Sequence, residues 1–246
     1  MGQEVELKIL LGEGGAKRLR GRAAGMLDPG EALKNQTLHA IYYDTAGRAL
    51  SRRGIALRVR KEGRRWVQTV KAGTGVTGGL SRVEEAEAPA PGGRLDLARI
   101  PDAALRAAVE EAAAGAPLSP AFETDFRRTA ARLAGPHGGT VELAIDAGVI
   151  RAGGAEAALE EAELELKAGD ARDLFALAKT LFPEGPVRFS RRNKAARGFA
   201  LASGGEAVAA TPAALHAPPA RLARGATTEA AARDVLRACF DQIAAN

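Results

Sequence analysis

The N-terminal residues 4–8 read EVELK, a regular alternation of charged and apolar side chains. Successive residues of a β-strand point to opposite sides, so a strand here would have one charged and one apolar face. The charged face would comprise Glu4, Glu6 and Lys8, and the apolar face Val5, Leu7 and Ile9. Two carboxylates and an ammonium on one face need either water or complementary charges opposite them. The meaning of the pentapeptide therefore depends on what the other strands present.

Seven further segments show the same period of two, and Gly-rich or Asp-containing turns separate them. With the first segment, the predicted strands are 3–11, 37–44, 54–62, 65–72, 80–88, 122–133, 140–147 and 160–168. The last of these consists of good helix formers, yet Glu161, Glu163 and Glu165 alternate with apolar residues. We follow the period and predict a strand there. The sequence thus predicts a strand-rich body.

Helical windows lie between and after these strands. PDAALRAAVEEAAAG and GDARDLFALAKTLFP place apolar residues at helical spacing, with Asp102 and Asp170 as the predicted N-caps. Residues 203–226 are rich in Pro, Gly and Ala and predict a linker. A last helix is predicted at 227–246. Its apolar face comprises Val235, Leu236, Cys239, Phe240 and Ile243.

Composition sets broad limits on function. A chain of 246 residues, 46% hydrophobic and 26% charged, can bury a sizeable core. Its net charge of +5 favours an anionic partner such as phosphate, polyphosphate or nucleic acid, without choosing among them. The single cysteine, Cys239, excludes an internal disulfide, and we expect neither a secretory signal nor a membrane partner. A cytoplasmic location is therefore expected.

The charged faces are sorted by sign along the predicted strands. The residues concerned, besides those of EVELK, are Arg58, Arg60, Lys71, Arg82, Glu84, Arg128, Glu142, Asp146, Glu161, Glu163 and Glu165. They could form the wet outer face of an ordinary antiparallel sheet. Like charges two residues apart repel, however, and the clustering favours ligands: carboxylates suit Mg²⁺ or Mn²⁺, and Arg and Lys suit phosphate oxygens. Periodicity alone does not show which face is inside.

Other kinds of site find little support in the sequence. The lone Cys239 and the three histidines, His39, His137 and His216, fit no catalytic triad or metal-ligand spacing. We expect them to be structural or surface residues. The segment GEGGAK is not a phosphate loop, because no Ser or Thr follows its lysine and its glycine spacing is wrong.

Seven segments resemble, in the expected order, the motifs of the CYTH superfamily, the triphosphate tunnel metalloenzymes. EVELK resembles the N-terminal ExExK signature of that family. The other segments are IYYDTAGRALSRRGIALRVR, TVKAG, GGLSRVE, VELAIDAG, EEAELELKAGD and NKAARGFAL. The resemblance extends over about residues 3–202.

The resemblance implies an α+β fold, a closed antiparallel β-barrel of about eight strands with helices packed outside, plus a C-terminal helix. The lumen of the barrel would be the active site. The implied ligands of Mg²⁺ or Mn²⁺ are Glu4, Glu6, Asp146, Glu161, Glu163 and Glu165. The implied triphosphate ligands are Lys8, Arg58, Arg60, Lys71, Arg82, Arg128, Lys194 and Arg197. Catalytic roles would fall on Lys8, Arg58, Arg60, Lys71 and Glu84, with Glu142 lining the tunnel.

One motif departs from the family pattern. Arg-x-Glu-x-Glu appears here as RVEEAE, which puts Ala86 on the same face as Arg82 and Glu84. Either that carboxylate site is lost, or a β-bulge turns Glu85 or Glu87 inward.

The resemblance implies a divalent-metal-dependent enzyme that hydrolyses inorganic triphosphate. No aromatic cluster that would bind a base or a thiazole is evident around Trp66, Tyr42 and Tyr43. The alternatives are a thiamine or nucleoside triphosphatase or an adenylate cyclase on the same fold, and a non-catalytic polyphosphate- or RNA-binding module. Nucleic acid is not the expected partner, because so many glutamates accompany the basic residues.

The predicted domains are a tunnel domain at 1–202, the linker, and the C-terminal helix at 227–246. That helix resembles the opening helix of the CHAD domain, a helical module that binds polyphosphate and often follows CYTH in bacterial proteins. We therefore expect a fused CHAD domain in the full-length protein, with this sequence cut near its start. The alternative is a terminal helix that packs on the barrel and closes one mouth.

Overall fold

A computed structural model describes residues 2–12, 14–27, 31–73, 76–77, 80–184, 187–190, 192–205 and 223–245. The strands are β1 Gly2–Leu10, β2 Lys34–Asp44, β3 Ile55–Glu62, β4 Arg65–Ala72, β5 Val76–Thr77, β6 Leu80–Pro89, β7 Ser119–Ala134, β8 Thr140–Ala152, β9 Ala155–Ala168 and β10 Arg188–Phe189. The α-helices are α1 Gly15–Ala24, α2 Ala49–Arg52, α3 Ala103–Ala113, α4 Arg172–Leu181, α5 Lys194–Leu201 and α6 Thr228–Ala245.

Long antiparallel strands close into a barrel. The hydrogen-bonded order is β1-β9-β8-β7-β2-β3-β4-β6, and β6 pairs back with β1 through six residue pairs from Gly2↔Glu85 to Leu7↔Leu80. These eight strands correspond to the eight predicted ones, which confirms the closed antiparallel barrel. The short strands β5 and β10, which lie outside the closed barrel order, were not predicted.

Helices cover part of the outer surface of the barrel. Leu7 and Ile9 of β1 pack with apolar residues of β8 and β9 against Leu19 of α1 and Leu177 of α4. A second outer cluster joins β3, β4 and β6 to α2 and α3. Because Leu7 and Ile9 are buried outside the barrel, the alternating charged residues of β1 must face its interior. The predicted orientation of EVELK is therefore confirmed.

Helix α5 closes one end of the barrel from within. Phe199 of α5 packs with Phe122 and Phe126 of β7 and with Leu159 of β9 in a buried cluster. A Cβ atom at Gly198 would lie 2.1 Å from the Phe122 ring, so only glycine allows this close approach. We did not predict this helix.

Arg48 fastens the C-terminal end of α5 to the loop before α2. Its guanidinium donates hydrogen bonds to the carbonyl oxygens of Phe199 (3.1 Å) and Ala202 (2.8 Å). Arg48 itself adopts a left-handed backbone conformation with φ of 56°, which costs a non-glycine residue energy. The buried Asp44 stabilises the same loop by accepting hydrogen bonds from the backbone N–H groups of Leu50 and Ser51. Loop and helix are thus held as one unit.

The other predicted helices are present, with one corrected boundary. Asp102 caps α3 as predicted, because its carboxylate accepts the N–H of Leu105. The prediction of Asp170 as an N-cap is wrong: α4 begins at Arg172, and Ala171 occupies the N-cap position. Asp170 lies one residue too early in the chain, although its carboxylate accepts the N–H of Arg172.

Helix α6 forms over the predicted C-terminal segment. Its apolar residues Leu236, Phe240 and Ile243 are 54%, 63% and 71% exposed. Most of the predicted linker, residues 206–222, lies outside the described residues. None of the helices in the described part of the chain combines the length and the apolar character needed to cross a membrane.

A charged tunnel as candidate active site

The interior of the barrel contains a cavity of about 760 Å³. Its walls carry side chains of both signs from strands all around the barrel. Glu4, Glu6, Lys8, Arg58, Arg60, Lys71, Arg128, Glu142, Glu163, Glu165 and Lys194 line it. Asp146, Glu161 and Arg197 are buried beside them, at 0%, 0% and 2% exposure. The structure thus brings together most of the side chains that the sequence selected.

A dense network of ion pairs lies where α5 meets the barrel. We call it the basal cluster and define it as Lys8, Arg128, Asp146, Glu161, Glu163, Lys194 and Arg197. Lys194 Nζ lies 2.7 Å from Asp146, 2.6 Å from Glu161 and 2.9 Å from Glu163. Arg197 pairs with Glu161 at 2.8 Å and Lys8 with Glu163 at 2.6 Å. Residues of α5 therefore supply countercharge for the carboxylates of β8 and β9.

Arg128 completes this network from β7. Its guanidinium donates two hydrogen bonds to Asp146, at 2.8 and 2.7 Å, and a third to Glu163 at 2.7 Å. Burial alone would raise the pKa of Glu163, but Lys194, Lys8 and Arg128 hold it well below its ordinary value. Asp146 follows the same pattern: burial acts to raise its pKa, while Lys194 and Arg128 lower it. Both carboxylates are consequently ionised at neutral pH.

Three carboxylates of the basal cluster are close enough to hold a metal ion. Asp146, Glu161 and Glu163 are buried, and each offers an oxygen within 4.8 Å of the others. One oxygen of each of these carboxylates, however, already faces the ammonium of Lys194. A divalent ion here would have to displace that lysine, whose ammonium already balances part of the carboxylate charge, although Glu161 Oε1 has no well-directed hydrogen bond among the described residues.

A second group of carboxylates lies further along the lumen and is more sparsely paired: Glu6 pairs with Lys8 at 2.7 Å, Glu165 with Lys167 at 2.6 Å, and Glu4 with Lys71. This acidic wall consists of Glu4, Glu6, Glu142 and Glu165. Glu165 stands directly opposite Glu6 on β1 and opposite Glu142 on β8 in the strand pairing. Like charges at such cross-strand positions destabilise a sheet. The acidic wall therefore concentrates negative charge that an added cation would relieve.

The pKa values of the acidic wall reflect this crowding. Burial raises the pKa of Glu6, and Glu163 and Glu4 add to the increase, against the opposing effect of Lys8. Burial likewise raises the pKa of Glu165, with further contributions from Glu4 and Glu142, although Lys167 opposes them. Hard oxygen ligands that resist ionisation until a cation approaches are suited to a divalent metal.

The opposite side of the lumen is basic. This basic wall consists of Arg58 and Arg60 of β3 and Lys71 of β4. In the barrel order, β3 lies four strands from β9 in either direction, so Arg58 and Arg60 lie across the cavity from Glu165. Lys71 reaches Glu4 in an ion pair and lies 3.3 Å from Glu85. Arg60 pairs with Glu62.

Arg58 is the least compensated cation of the basic wall. Its guanidinium approaches Glu85 at 4.0 Å, the limit of an ion pair. Its Nε atom is buried and has no hydrogen-bond partner among the described residues. A buried donor without a partner is costly. An anion in the lumen would supply the missing acceptor.

Strand β6 corrects one part of the sequence prediction. Ser81, Val83, Glu85 and Glu87 line the cavity, whereas Arg82 and Glu84 lie exposed on the outer face. The two predicted tunnel residues of this strand therefore point away from the lumen. A shift of one residue exchanges the two faces of a strand. The pairing of β6 with β1 and β4 runs in continuous register, so Glu85 and Glu87 face inward without a bulge.

Sequence reasoning also missed a lumen residue on β2. Tyr42 is 4% exposed, lines the cavity and stands opposite Arg58 in the strand pairing. The alternation along β2 could have identified Tyr42, because it lies on the same face as Leu38 and Ala40, which are buried. The remaining candidates take no part in the tunnel: Cys239 is exposed, and His137 contributes a backbone N–H to Asp173. His216 lies outside the described residues.

Comparisons with known proteins agree with this architecture. A family model described as the CYTH domain matches residues 2–199. An inorganic triphosphatase of Haemophilus influenzae is 32% identical over 204 residues, which are 82% of this chain and 55% of that protein. The chain therefore spans about half the length of that relative.

Two solved structures resemble the barrel. A candidate adenylyl cyclase from Hippeastrum, described as having a dominant triphosphatase activity, is 20% identical with a TM-score of 0.55, over 82% of this chain and 96% of that one. A candidate adenylate cyclase from Bacillus halodurans is 21% identical with a TM-score of 0.50, over 79% of this chain and 97% of that one. At these identities the likeness establishes the shared fold.

Proposed function

The chain belongs to the CYTH domain family, and from that premise we propose that it is a divalent-metal-dependent enzyme that hydrolyses inorganic triphosphate in its tunnel. The observation that carries the proposal is that Arg58 and Arg60 lie across one cavity from Glu165, with further side chains of both signs around its wall. A polyphosphate needs cations around its oxygens, and its hydrolysis needs a further positive charge near the reacting phosphate. The inorganic triphosphatase relative supports this choice of substrate.

The acidic wall fits Mg²⁺ or Mn²⁺ better than the basal cluster does. We assign the metal to Glu4, Glu6 and Glu165, because their carboxylates are crowded and the pKa values of Glu6 and Glu165 are raised. When bound, the ion would supply Lewis-acid stabilisation to phosphate oxygens. Asp146, Glu161 and Glu163 then serve as the counterions that fix Lys194 and its neighbours. This divides the six predicted metal ligands into two groups.

The basic wall holds the substrate in this proposal. Arg58 and Arg60 offer forked N–H groups to phosphate oxygens, and Lys71 offers a compact charge. A loose phosphoryl-transfer transition state spreads charge over the equatorial oxygens, and fixed cations stabilise it. We assign Lys8, Arg128, Lys194 and Arg197 mainly to the support of the carboxylates, because short ion pairs already occupy them.

The attacking water needs a carboxylate acceptor close to the bound phosphate. Glu85 lines the lumen within 3.3 Å of Lys71 and approaches Arg58. We therefore assign the orientation of the water to Glu85, in place of Glu84, for which the family resemblance implied a catalytic role. A thiamine or nucleoside triphosphatase, an adenylate cyclase and a non-catalytic polyphosphate binder remain the alternatives to be tested.

The test is a phosphate-release assay with inorganic triphosphate, ATP and thiamine triphosphate in Mg²⁺ or Mn²⁺. We expect triphosphate to be the preferred substrate, and Glu4→Gln and Glu6→Gln to lower kcat/KM by about 10²-fold or more. Glu160→Gln is the matched control, since Glu160 lies on the other face of β9 from Glu161. If no triphosphate is hydrolysed, or if the Glu4 and Glu6 variants equal the wild type, the proposal fails.

We also propose that residues 227–246 begin a helical unit of the CHAD type, joined to the tunnel domain at 1–202 by the linker 203–226. The exposed apolar residues of α6 support this, because an amphipathic helix needs a partner for its apolar face. A cytoplasmic location belongs to the same proposal. Limited proteolysis of the full-length protein should cleave within 203–226 and release a folded tunnel domain.

A further inference from the structure

Tyr42 and Arg58 are direct neighbours across two strands of the lumen wall. They form a cross-strand pair in the β2–β3 ladder, a geometry that places side chains about 5 Å apart at Cβ. Burial alone would lower the pKa of Arg58, and the interaction with the Tyr42 hydroxyl opposes that effect. Tyr42 is 4% exposed, so this contact is made inside the tunnel. The phenol is thus a short-range partner of the least compensated cation in the basic wall.

The ring of Tyr42 has little freedom to move. It stacks on Phe122 with ring centroids 4.3 Å apart and an angle of 14° between the planes. Phe122 in turn meets Phe199 of α5 edge to face, with centroids 5.0 Å apart. Gly198 lets α5 approach the Phe122 ring closely. An aromatic stack anchored in the end of the barrel therefore fixes the direction of the Tyr42 hydroxyl.

The chemistry of the partner matters for a phosphate-binding arginine. Arg128 donates two hydrogen bonds to the carboxylate of Asp146, which largely neutralises its charge. Arg58 has no such clamp: Glu85 lies 4.0 Å away, and its Nε has no partner among the described residues. A neutral phenol can orient a guanidinium without compensating its charge, whereas a carboxylate would compete with the ligand.

We propose that Tyr42 is a positioning residue whose hydroxyl holds the Arg58 guanidinium in its phosphate-binding orientation and leaves the charge and the Nε–H of that arginine to the ligand. This inference rests on the proposed triphosphate site. It gives the aromatic stack a role beyond packing, because orienting a long side chain before binding removes part of its entropic cost.

The decisive experiment is a double-mutant cycle. Tyr42→Phe keeps the ring and its stack on Phe122 but removes the hydroxyl. Triphosphate binding is measured by calorimetry without divalent metal, and hydrolysis is measured with metal. We expect Tyr42→Phe to weaken binding roughly 3- to 10-fold, the range of one hydrogen bond. In an Arg58→Ala background, the same substitution should make no further difference to binding.

Tyr43→Phe is the matched control, because Tyr43 is the next residue and belongs to the outer face of β2. It should bind triphosphate as the wild type does. The cycle also separates positioning from folding, since a general loss of structure would weaken binding in both backgrounds. Wild-type affinity in Tyr42→Phe, or an equal loss with and without Arg58, overturns the role of Tyr42. A wild-type protein that neither binds nor hydrolyses triphosphate overturns the proposed function and this role together.

Discussion

In the basal cluster Lys194 lies within 2.9 Å of three carboxylates, while Arg58, in the same lumen, comes no closer than 4.0 Å to Glu85. Lys194 is buried and Arg58 is half-buried, and both line the lumen of one barrel. The first is neutralised by the protein and fixes α5 in place. The charge of Arg58 has no such short ion pair among the described residues and is available to a ligand in the lumen. Residue type alone therefore does not identify a ligand site; the degree of internal pairing does.

The carboxylates show the same division. Glu163, in the basal cluster, has a pKa well below its ordinary value because its cationic neighbours outweigh burial. Glu6, in the acidic wall, has a raised pKa because burial and two nearby carboxylates outweigh Lys8. Lys8 contacts both residues, so the boundary between the two regions passes through a single side chain. Lys8 therefore links the crowded carboxylates of the acidic wall to the ion-paired carboxylates of the basal cluster.

The largest effect is expected from substitution of Glu163, as a loss in the free energy of unfolding. Glu163→Gln leaves Lys8, Lys194 and Arg128 with less countercharge in a buried position. Removing one partner of a buried ion-pair network costs roughly 3 to 5 kcal/mol, and we expect a loss of this size in the free energy of unfolding from denaturant titration. Glu160→Gln, on the outer face of the same strand, should change it by less than about 0.5 kcal/mol. A loss below about 1 kcal/mol for Glu163→Gln would show that the basal cluster is not a structural unit.

A smaller effect, on thermal stability, is expected when pH and divalent metal are varied together. The folded pKa of Glu6 lies above its ordinary value of 4.5, so its ionisation costs stability as pH rises through that folded pKa. Glu163 acts in the opposite sense: its lowered pKa contributes stability above 4.5, and that contribution is lost as pH falls further. A metal ion on the acidic wall should relieve the first cost only.

We therefore expect Mg²⁺ or Mn²⁺ to raise the Tm by a few degrees more at about pH 7.5 than at about pH 5, because protons compete with the ion for Glu6 and Glu165. Scanning fluorimetry with and without metal measures this difference. In Glu6→Gln, the difference between the two pH values in the metal-induced rise of Tm should be smaller. Equal gains at both pH values would place the metal away from the acidic wall.

The smallest effect is expected at Arg82. Since Arg82 is exposed on the outer face of β6, Arg82→Gln should keep kcat/KM within about twofold of the wild type. Arg58→Gln, in the basic wall, should lower it by about 10²-fold. Steady-state hydrolysis of triphosphate by the two variants tests the orientation of β6 directly. A comparable loss in both would mean that Arg82 reaches the substrate.

Much of the barrel could be predicted from the sequence, because a period of two with one apolar face leaves little choice of orientation. In this way Leu7 and Ile9 determine which face of β1 points outward. Strand β6 has no such marker: RVEEAE carries charge on both faces, so the pattern fixes a strand but not its phase. There the resemblance to Arg-x-Glu-x-Glu selected Arg82 and Glu84, and the three-dimensional pairing placed Glu85 and Glu87 inside instead.

Features that depend on distant contacts were beyond sequence reasoning. Helix α5 is short, and its buried Lys194 and Arg197 are tolerated only because carboxylates of β8 and β9 meet them in the folded barrel. Tyr42 was considered only as a base-binding aromatic, because its relation to Arg58 follows from the register of β2 against β3. The local pattern identified the charged residues, but only the tertiary contacts show which of them pair with each other and which face a ligand.

Strand β1 pairs with both β6 and β9, so a single N-terminal strand closes the barrel. Lys8 and Glu163, which meet across that seam, are 155 positions apart in the chain. Contacts of such long range cost loop-closure entropy, which slows folding. While the ribosome is still adding residues before β9, the EVELK strand lacks one of its two neighbouring strands and the carboxylate of Glu165 that stands opposite Glu6. Trimming a few residues from the N-terminus of the finished protein would remove half of the acidic wall and open the barrel along two seams at once.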